Sequence, residues 1–133
     1  MLTESKLTAF IPTKSTTRAR PFYEGVLGLR VVGHDDFALV LDAGGTTVRV
    51  TNVPEFEPAP FTVLGWEVKN IRDAVASLQK KNVAFERYKG LEQNELGVWT
   101  APGGARVAWF KDPDDNVLSI TEPAAKGARE PRS

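Results

Sequence analysis

The sequence predicts an α+β fold: two βαβββ modules forming a cupped mixed β-sheet with helices on the outer face. Three observations predict it. An apolar alternation from Phe61 to Val68 runs into a helical pattern from Asn70 to Lys81, then into further β-prone stretches ending at Thr121. A weaker version of the same order runs from Lys6 to Val53. Between the copies, Pro54 to Pro60 holds three prolines and two glutamates, the composition of a short, stiff linker. The expected organisation is therefore one domain over 1–122, with module one at about 6–53, the linker at 54–60, module two at about 61–122, and a flexible tail at 123–133.

In the first module, Lys6 to Ile11 reads as a strand and Ser15 to Thr17 offer hydroxyl caps. Ala19, Phe22, Tyr23, Val26 and Leu27 then form one apolar helical face within Thr16 to Leu27. Pro21 removes a backbone donor inside that span, which suggests a regular helix beginning near Arg18 with Pro21 in its first turn. Gly28 is the expected left-handed stop. Leu29 to Gly33 and Phe37 to Leu41 read as strands around a His34-Asp35-Asp36 turn. Asp42-Ala43-Gly44-Gly45 is a hairpin signal leading to the β-branched run Thr46 to Val53.

In the second module, Asn70 caps a helix with Ile71, Ala74, Val75 and Leu78 on its apolar face, and Asn82 ends it. Val83 to Tyr88 is expected as a strand, Gly90 to Gly97 as a polar loop, and Val98-Trp99-Thr100 as a short extended piece. Ala105 to Phe110 and Val117 to Thr121 are strands joined by the tight turn Asp112-Pro113-Asp114-Asp115-Asn116.

Bulk properties narrow the function. Seventeen basic residues balance seventeen acidic ones among 133, so no net field recruits nucleic acid or an anionic membrane. The absence of cysteine excludes disulfides, thiolate metal sites and a cysteine nucleophile. No apolar run approaches the roughly 18 residues of a membrane span, and Met1 to Lys6 has no signal-like core, so a cytoplasmic address is expected. The single histidine, His34, reads as a solvated turn residue and excludes any site needing two histidines from one chain.

Three segments carry a resemblance. Phe22-Tyr23-Glu24-Gly25-Val26-Leu27-Gly28-Leu29 resembles the FYxxVLGL segment of the vicinal oxygen chelate superfamily. Asp112-Pro113-Asp114-Asp115-Asn116-Val117-Leu118 resembles its DPDGN(L/I) turn and last strand, and Val68 to Ala74 resembles its second strand-to-helix junction. Glyoxalase I, extradiol dioxygenases, fosfomycin-resistance enzymes and bleomycin-binding proteins share that fold. The resemblance spans Lys6 to Glu122 and implies the fold more than the function.

The resemblance also implies where a divalent metal would be held on the concave face by His, Gln or Glu. Counted from the three motifs, those positions fall on Thr8, Val63 and Ser119. Hydroxyls are weak ligands and valine cannot coordinate, so a metal-free member without a cofactor is expected. Strand alternation from these positions places Thr8, Phe10, Thr47, Arg49, Phe61, Val63, Gly65, Glu67, Val107, Trp109, Val117, Ser119 and Thr121 on the concave face, with Trp99 at its rim. Trp66, Val68, Val48 and Val50 should face the other way.

A mostly apolar concavity with a few polar groups has the composition of a small-molecule pocket. Its candidate lining is Thr8, Phe10, Arg49, Phe61, Val63, Glu67, Trp99, Val107, Trp109 and Ser119. Core packing serves Phe10 and Trp109 equally well, and Arg49 and Glu67 also read as a structural ion pair. Ser119 has no histidine placed to activate it as a nucleophile.

Three functions compete. The first is metal-free binding and sequestration of an aromatic antibiotic or metabolite, in a homodimer as the resemblance implies. The second is a metal-independent isomerase or lyase with Glu67 as general base and Arg49 holding an anionic substrate. The third is an interaction module without a ligand. The first is preferred.

Overall fold

The computed structural model describes residues 1–125; residues 126–133, most of the expected tail, lie outside the described residues. The chain divides into two compact units, the first being Met1–Pro58 with Asp112–Asn116, the second Ala59–Lys111 and the chain from Val117 onward.

The first unit holds β1 (Thr8–Thr13), α1 (Thr16–Arg20), β2 (Arg30–His34), β3 (Ala38–Ala43) and β4 (Thr46–Asn52), in a four-stranded sheet ordered β1-β4-β3-β2. β1 runs parallel to β4 and the other pairs are antiparallel. β1 starts and ends two residues later than the sequence suggests. It continues through Pro12 because it is the sheet's edge strand, where a missing backbone donor is tolerated. Between β3 and β4 the turn glycines Gly44 and Gly45 both have positive φ, 61° and 95°, which fits a two-residue primed hairpin.

The helix begins at Thr16, ahead of the expected Arg18, because Ser15 Oγ accepts from Arg18 N at 3.1 Å. Pro21 has no N–H for the carbonyl one turn back. The helix there widens into a π-type segment, Pro21–Val26, in which Leu27 N donates to Phe22 O at 2.9 Å. Gly28 stops it at φ 73°. Ala19 and Tyr23 are fully buried with Ile11, Leu39, Leu41, Val48 and Val50, one face of the sheet. Burying each of the Val, Leu and Ile side chains among them contributes about 1.5–3 kcal/mol.

The turn Asp112–Asn116 belongs to this first unit. Asp112 Oδ1 accepts from the backbone N–H groups of Asp114 and Asn116, and its Oδ2 from Tyr23 Oη at 2.6 Å and Asn116 Nδ2 at 2.9 Å. Asp114 accepts from Thr13 Oγ1, from Lys14 N at 3.0 Å and from Arg18 Nη2 at 2.6 Å. Burial pushes the Asp112 carboxyl above the usual range, although these hydrogen bonds pull the other way. Burial, then the adjacent Asp112 charge, pushes the Tyr23 phenol far above its ordinary value.

The second unit holds β5 (Thr62–Glu67), α2 (Ile71–Lys80), β6 (Trp99–Thr100), β7 (Arg106–Lys111) and β8 (Val117–Glu122), in a sheet ordered β5-β8-β7-β6. β5 is parallel to β8; β8–β7 and β7–β6 are antiparallel. Asn70 Oδ1 accepts from Asp73 N at 3.0 Å and caps α2. Asn82, at φ 67°, ends it: Val83 N reaches Leu78 O and Asn82 N reaches Gln79 O, a Schellman stop. Ile71 and Val75 bury their side chains, as do Ala108, Phe110, Leu118 and Ile120.

One expected strand is overturned. Val83 to Tyr88 forms no strand, only the single bridge Phe85 to Phe110, and β6 takes the place beside β7. Side chains displace the ladder: Gln93 occupies Tyr88 N and Glu86 O, so those backbone groups are satisfied without a neighbouring strand. No helix among the described residues is long and apolar enough to cross a membrane.

Candidate functional site

Strand pairing in each unit fixes which residues share a face, because directly paired residues point the same way. In the second unit, Gly65 pairs with Ser119 and Ser119 with Trp109. Glu67 pairs with Thr121, Thr121 with Val107, and Val107 with Trp99. Glu67, Val107, Trp109 and Ser119 therefore lie on one face, as alternation predicts, and Trp99, expected at the rim, lies on it with them. Trp66 pairs with Ile120 and Ile120 with Ala108, so Trp66 lies on the opposite, buried-core face.

The β5 register departs from simple alternation. A bulge at Val63 lets Thr62 pair with Val117, so the regular series expected from Phe61 through Glu67 is interrupted there. Phe61 precedes β5 and is exposed, and Val63 is 38% exposed on the bulge.

The second unit's face carries a strip of three rings. Trp109 meets Tyr88 edge to face, with centroids 5.4 Å apart and planes at 85°, and Trp99 at 6.1 Å and 35°. All three are partly exposed. On the same face, Gly65 lies against Ser119, with β8 between it and Trp109: a Cβ there would come within 2.9 Å of Ser119 Oγ and 3.2 Å of its carbonyl oxygen. Sequence reasoning missed Tyr88, because a strand was expected through it and its ring was not assigned to this face. Burial, then the neighbouring Glu86 charge, raises its phenol. Gly65 was placed on the face, but its close approach to Ser119 had no sequence signal.

In the first unit, Thr8 pairs with Thr47, and Phe10 with Arg49, which pairs in turn with Val40. This is the face away from Ile11, Val48 and Val50, again as alternation predicts. Phe10 is 67% exposed, which removes the core-packing reading for it within this unit. His34 is exposed at the end of β2, its Nδ1 3.2 Å from Arg20 Nη1.

A separate groove of about 300 Å³ lies in the second unit, lined in part by Arg72, Asn94, Thr100 and Arg106. It belongs to the other side of the sheet, since Thr100 and Arg106 alternate with Trp99 and Val107 along their strands. Its arginines are each met by a carboxylate, Glu95 at 3.8 Å and Glu122 at 3.9 Å. The aromatic face is the stronger binding candidate, because stacking surface there is not already satisfied by a partner charge.

A profile of the glyoxalase/bleomycin resistance protein/dioxygenase superfamily matches residues 7–120. The chain belongs to this superfamily. Among solved structures of the fold, a superfamily member from Sphaerobacter thermophilus DSM 20745 is 22% identical, with 92% of this chain and 100% of that one covered at a TM-score of 0.70. TnmS3, an antibiotic binding protein from Streptomyces sp. CB03234, is 20% identical, with 93% and 99% covered at 0.69. A lactoylglutathione lyase from Agrobacterium tumefaciens is 12% identical, with 90% and 93% covered, also at 0.69. No curated protein matches the chain in sequence.

The superfamily's enzymes imply a divalent metal, and the donors of this chain do not fit one. Thr8 and Ser119 present neutral hydroxyls, Val63 presents methyls, and no group of three or more His, Cys, Asp or Glu able to hold a metal occurs among the described residues. Glu67 is exposed on the face it shares with Ser119 and Trp109.

Proposed function

We propose that this superfamily member binds a small, planar aromatic molecule without a metal, and that it acts by sequestration. The observation that carries this reading is the ring strip Tyr88–Trp109–Trp99 on the face that also holds Ser119 and Gly65. A row of partly exposed rings offers π-faces and apolar area, and Ser119 and Glu67 on the same face supply polar selection. Trp99, Val107, Trp109, Ser119 and Glu67 form the ligand-binding set of the second unit. Phe61 and Val63 add exposed apolar surface there, and Thr8, Phe10 and Arg49 form the set of the first unit.

An aromatic antibiotic or metabolite is the proposed class; TnmS3, of the same fold, is an antibiotic binding protein. We propose a homodimer as the working form, since the exposed apolar residues Leu7, Phe10, Phe61 and Val63 lie on or beside the edge strands β1 and β5.

Calorimetric titration with a panel of planar aromatic compounds tests the proposal. Micromolar binding is expected, weakened about tenfold or more by Trp109→Leu, as for a central aromatic anchor. Equal affinity of Trp109→Leu and the wild type would overturn the reading.

A further inference from the structure

Tyr88 stands at the end of the ring strip, yet no strand holds it. After Glu86 N donates to Trp109 O at 2.8 Å, the chain leaves the sheet and returns only at β6. What fills the gap is the carboxamide of Gln93. Its Oε1 accepts from Tyr88 N at 2.8 Å, and its Nε2 donates to Glu86 O at 2.9 Å and to Gly97 O at 2.8 Å. Both amide protons are therefore in use. The backbone of Gln93 also forms a bridge with Trp99. One residue thus reaches the backbone on either side of Trp109: Tyr88 through its side chain, Trp99 through its main chain.

The surrounding loop stiffens this arrangement. Arg87 Nη2 donates to Asn94 O at 2.8 Å and Glu95 O at 3.0 Å. Asn94 Oδ1 accepts from Leu96 N at 3.0 Å and Val98 N at 2.9 Å. Gly97 adopts φ 84°, where a Cβ would also press to 3.3 Å on Phe85 Cβ. A loop with this many internal bonds is a built support, and it flanks Gln93 on its C-terminal side.

We infer that Gln93 is a positioning residue which sets the spacing of the Tyr88, Trp109 and Trp99 rings, and so selects which aromatic outlines the face accepts. The inference rests on the binding reading above. Replacing the carboxamide by the thioether of methionine, which has no donor and only a weak acceptor, leaves Glu86 O and Gly97 O without their partner and Tyr88 N without a strong one, and the Tyr88 segment loses its register against Trp109. Gln93→Glu keeps the shape and the acceptor but turns oxygen toward two carbonyl oxygens. That repulsion raises the introduced carboxyl's pKa, and its protonation restores one donor.

The test uses wild type, Gln93→Met and Gln93→Glu, with naphthalene-2-carboxylate and anthracene-2-carboxylate as probes. In the ligand-free protein, NMR is expected to show Tyr88–Trp109 ring contacts in the wild type and their loss in Gln93→Met, with Tyr88 amide exchange faster by about tenfold or more. Amide shifts of β7 and β8 report that the sheet persists. In Gln93→Glu the ring contacts return as pH falls through the introduced carboxyl's pKa; this arm decides the matter if Gln93→Met does not fold. The ratio of the two dissociation constants is expected to change at least about fivefold in Gln93→Met. Persistent ring contacts, or lost contacts with an unchanged ratio, would overturn the inference. Failure of the wild type to bind either probe would instead sink the binding reading and the selection role with it, leaving the ring contacts to decide whether Gln93 positions the strip.

Discussion

Tyr23 Oη donates a 2.6 Å hydrogen bond to Asp112 Oδ2, across 89 positions of sequence. Both groups are buried, and the carboxylate has three further donors from its own turn. The two residues lie in separate motifs, the FY segment and the DPDDN turn, and both motifs fold into the first unit. The bond gives those motifs a shared physical role: the helix supplies a donor to a carboxylate that its own turn satisfies only in part.

Tyr23→Phe removes that donor while keeping the ring. The expected loss is about 1.5–3 kcal/mol, the range for hydrogen bonds to charged groups. Asp112 titrates above its ordinary value because of burial, so the stability it contributes is complete below about pH 4 and is lost as pH rises through its folded value. Removing the phenol raises that folded value further. The deficit of Tyr23→Phe, measured by denaturant unfolding, should therefore be larger at neutral pH than at pH 4; a deficit independent of pH would show that the bond does not support the ionised form.

Asp35 should show the opposite dependence. Its carboxylate accepts from Ala38 N and Phe37 N at the β2–β3 turn, and these bonds hold it below the usual carboxylate range. Its contribution is present above the unfolded value and is lost as pH falls through the folded one. Asp35→Asn should thus differ from the wild type at neutral pH and converge with it in acid. A carbon-detected titration of Asp35 that returned an ordinary value would refute this.

Much of this fold could be read from period and punctuation. Asn70, Asn82, Gly28 and Gly44-Gly45 mark ends and turns because each meets a local backbone demand, and local demands are written in adjacent residues. Alternation likewise placed Trp109, Ser119 and Glu67 on one face and Trp66 on the other. What escaped depends on which partner takes each backbone group. Val83 to Tyr88 has strand-like composition, but the Gln93 side chain, five positions on, takes Tyr88 N and Glu86 O, and composition does not announce that competitor. The bulge at Val63 and the approach of Ser119 to Gly65 are likewise properties of the β5–β8 pair, which no single stretch encodes.

Opposite faces give a paired prediction for two tryptophans. Trp66 shares its face with Ile120 and Ala108, whereas Trp109 shares the face of Ser119 and the ring strip. Trp66→Leu should lower stability by about 1–3 kcal/mol and leave aromatic binding nearly unchanged. Trp109→Leu should do the reverse, weakening binding about tenfold or more. Unfolding midpoints and calorimetric titrations on both variants make the comparison; a binding loss in Trp66→Leu as large as that in Trp109→Leu would remove the distinction between the faces.

The last prediction concerns Gly65, where stability and binding should fall together. Its φ is not in the left-handed region, so the glycine is required by space and not by backbone conformation. An added methyl would lie 2.9 Å from Ser119 Oγ and 3.2 Å from Ser119 O. The hydroxyl can turn aside; the carbonyl belongs to the β5–β8 ladder and cannot. Gly65→Ala should therefore cost about 1–3 kcal/mol, the usual range for overpacking, and Gly65→Ala combined with Ser119→Ala should recover only part of it. The same methyl adds bulk on the face that carries the ring strip, against Ser119, so affinity for a planar aromatic ligand should fall in both variants, including the one whose stability is partly restored. Denaturation curves and calorimetry on the single and double variants separate the two effects: full recovery of binding in the double variant would show that the open surface at Gly65 takes no part.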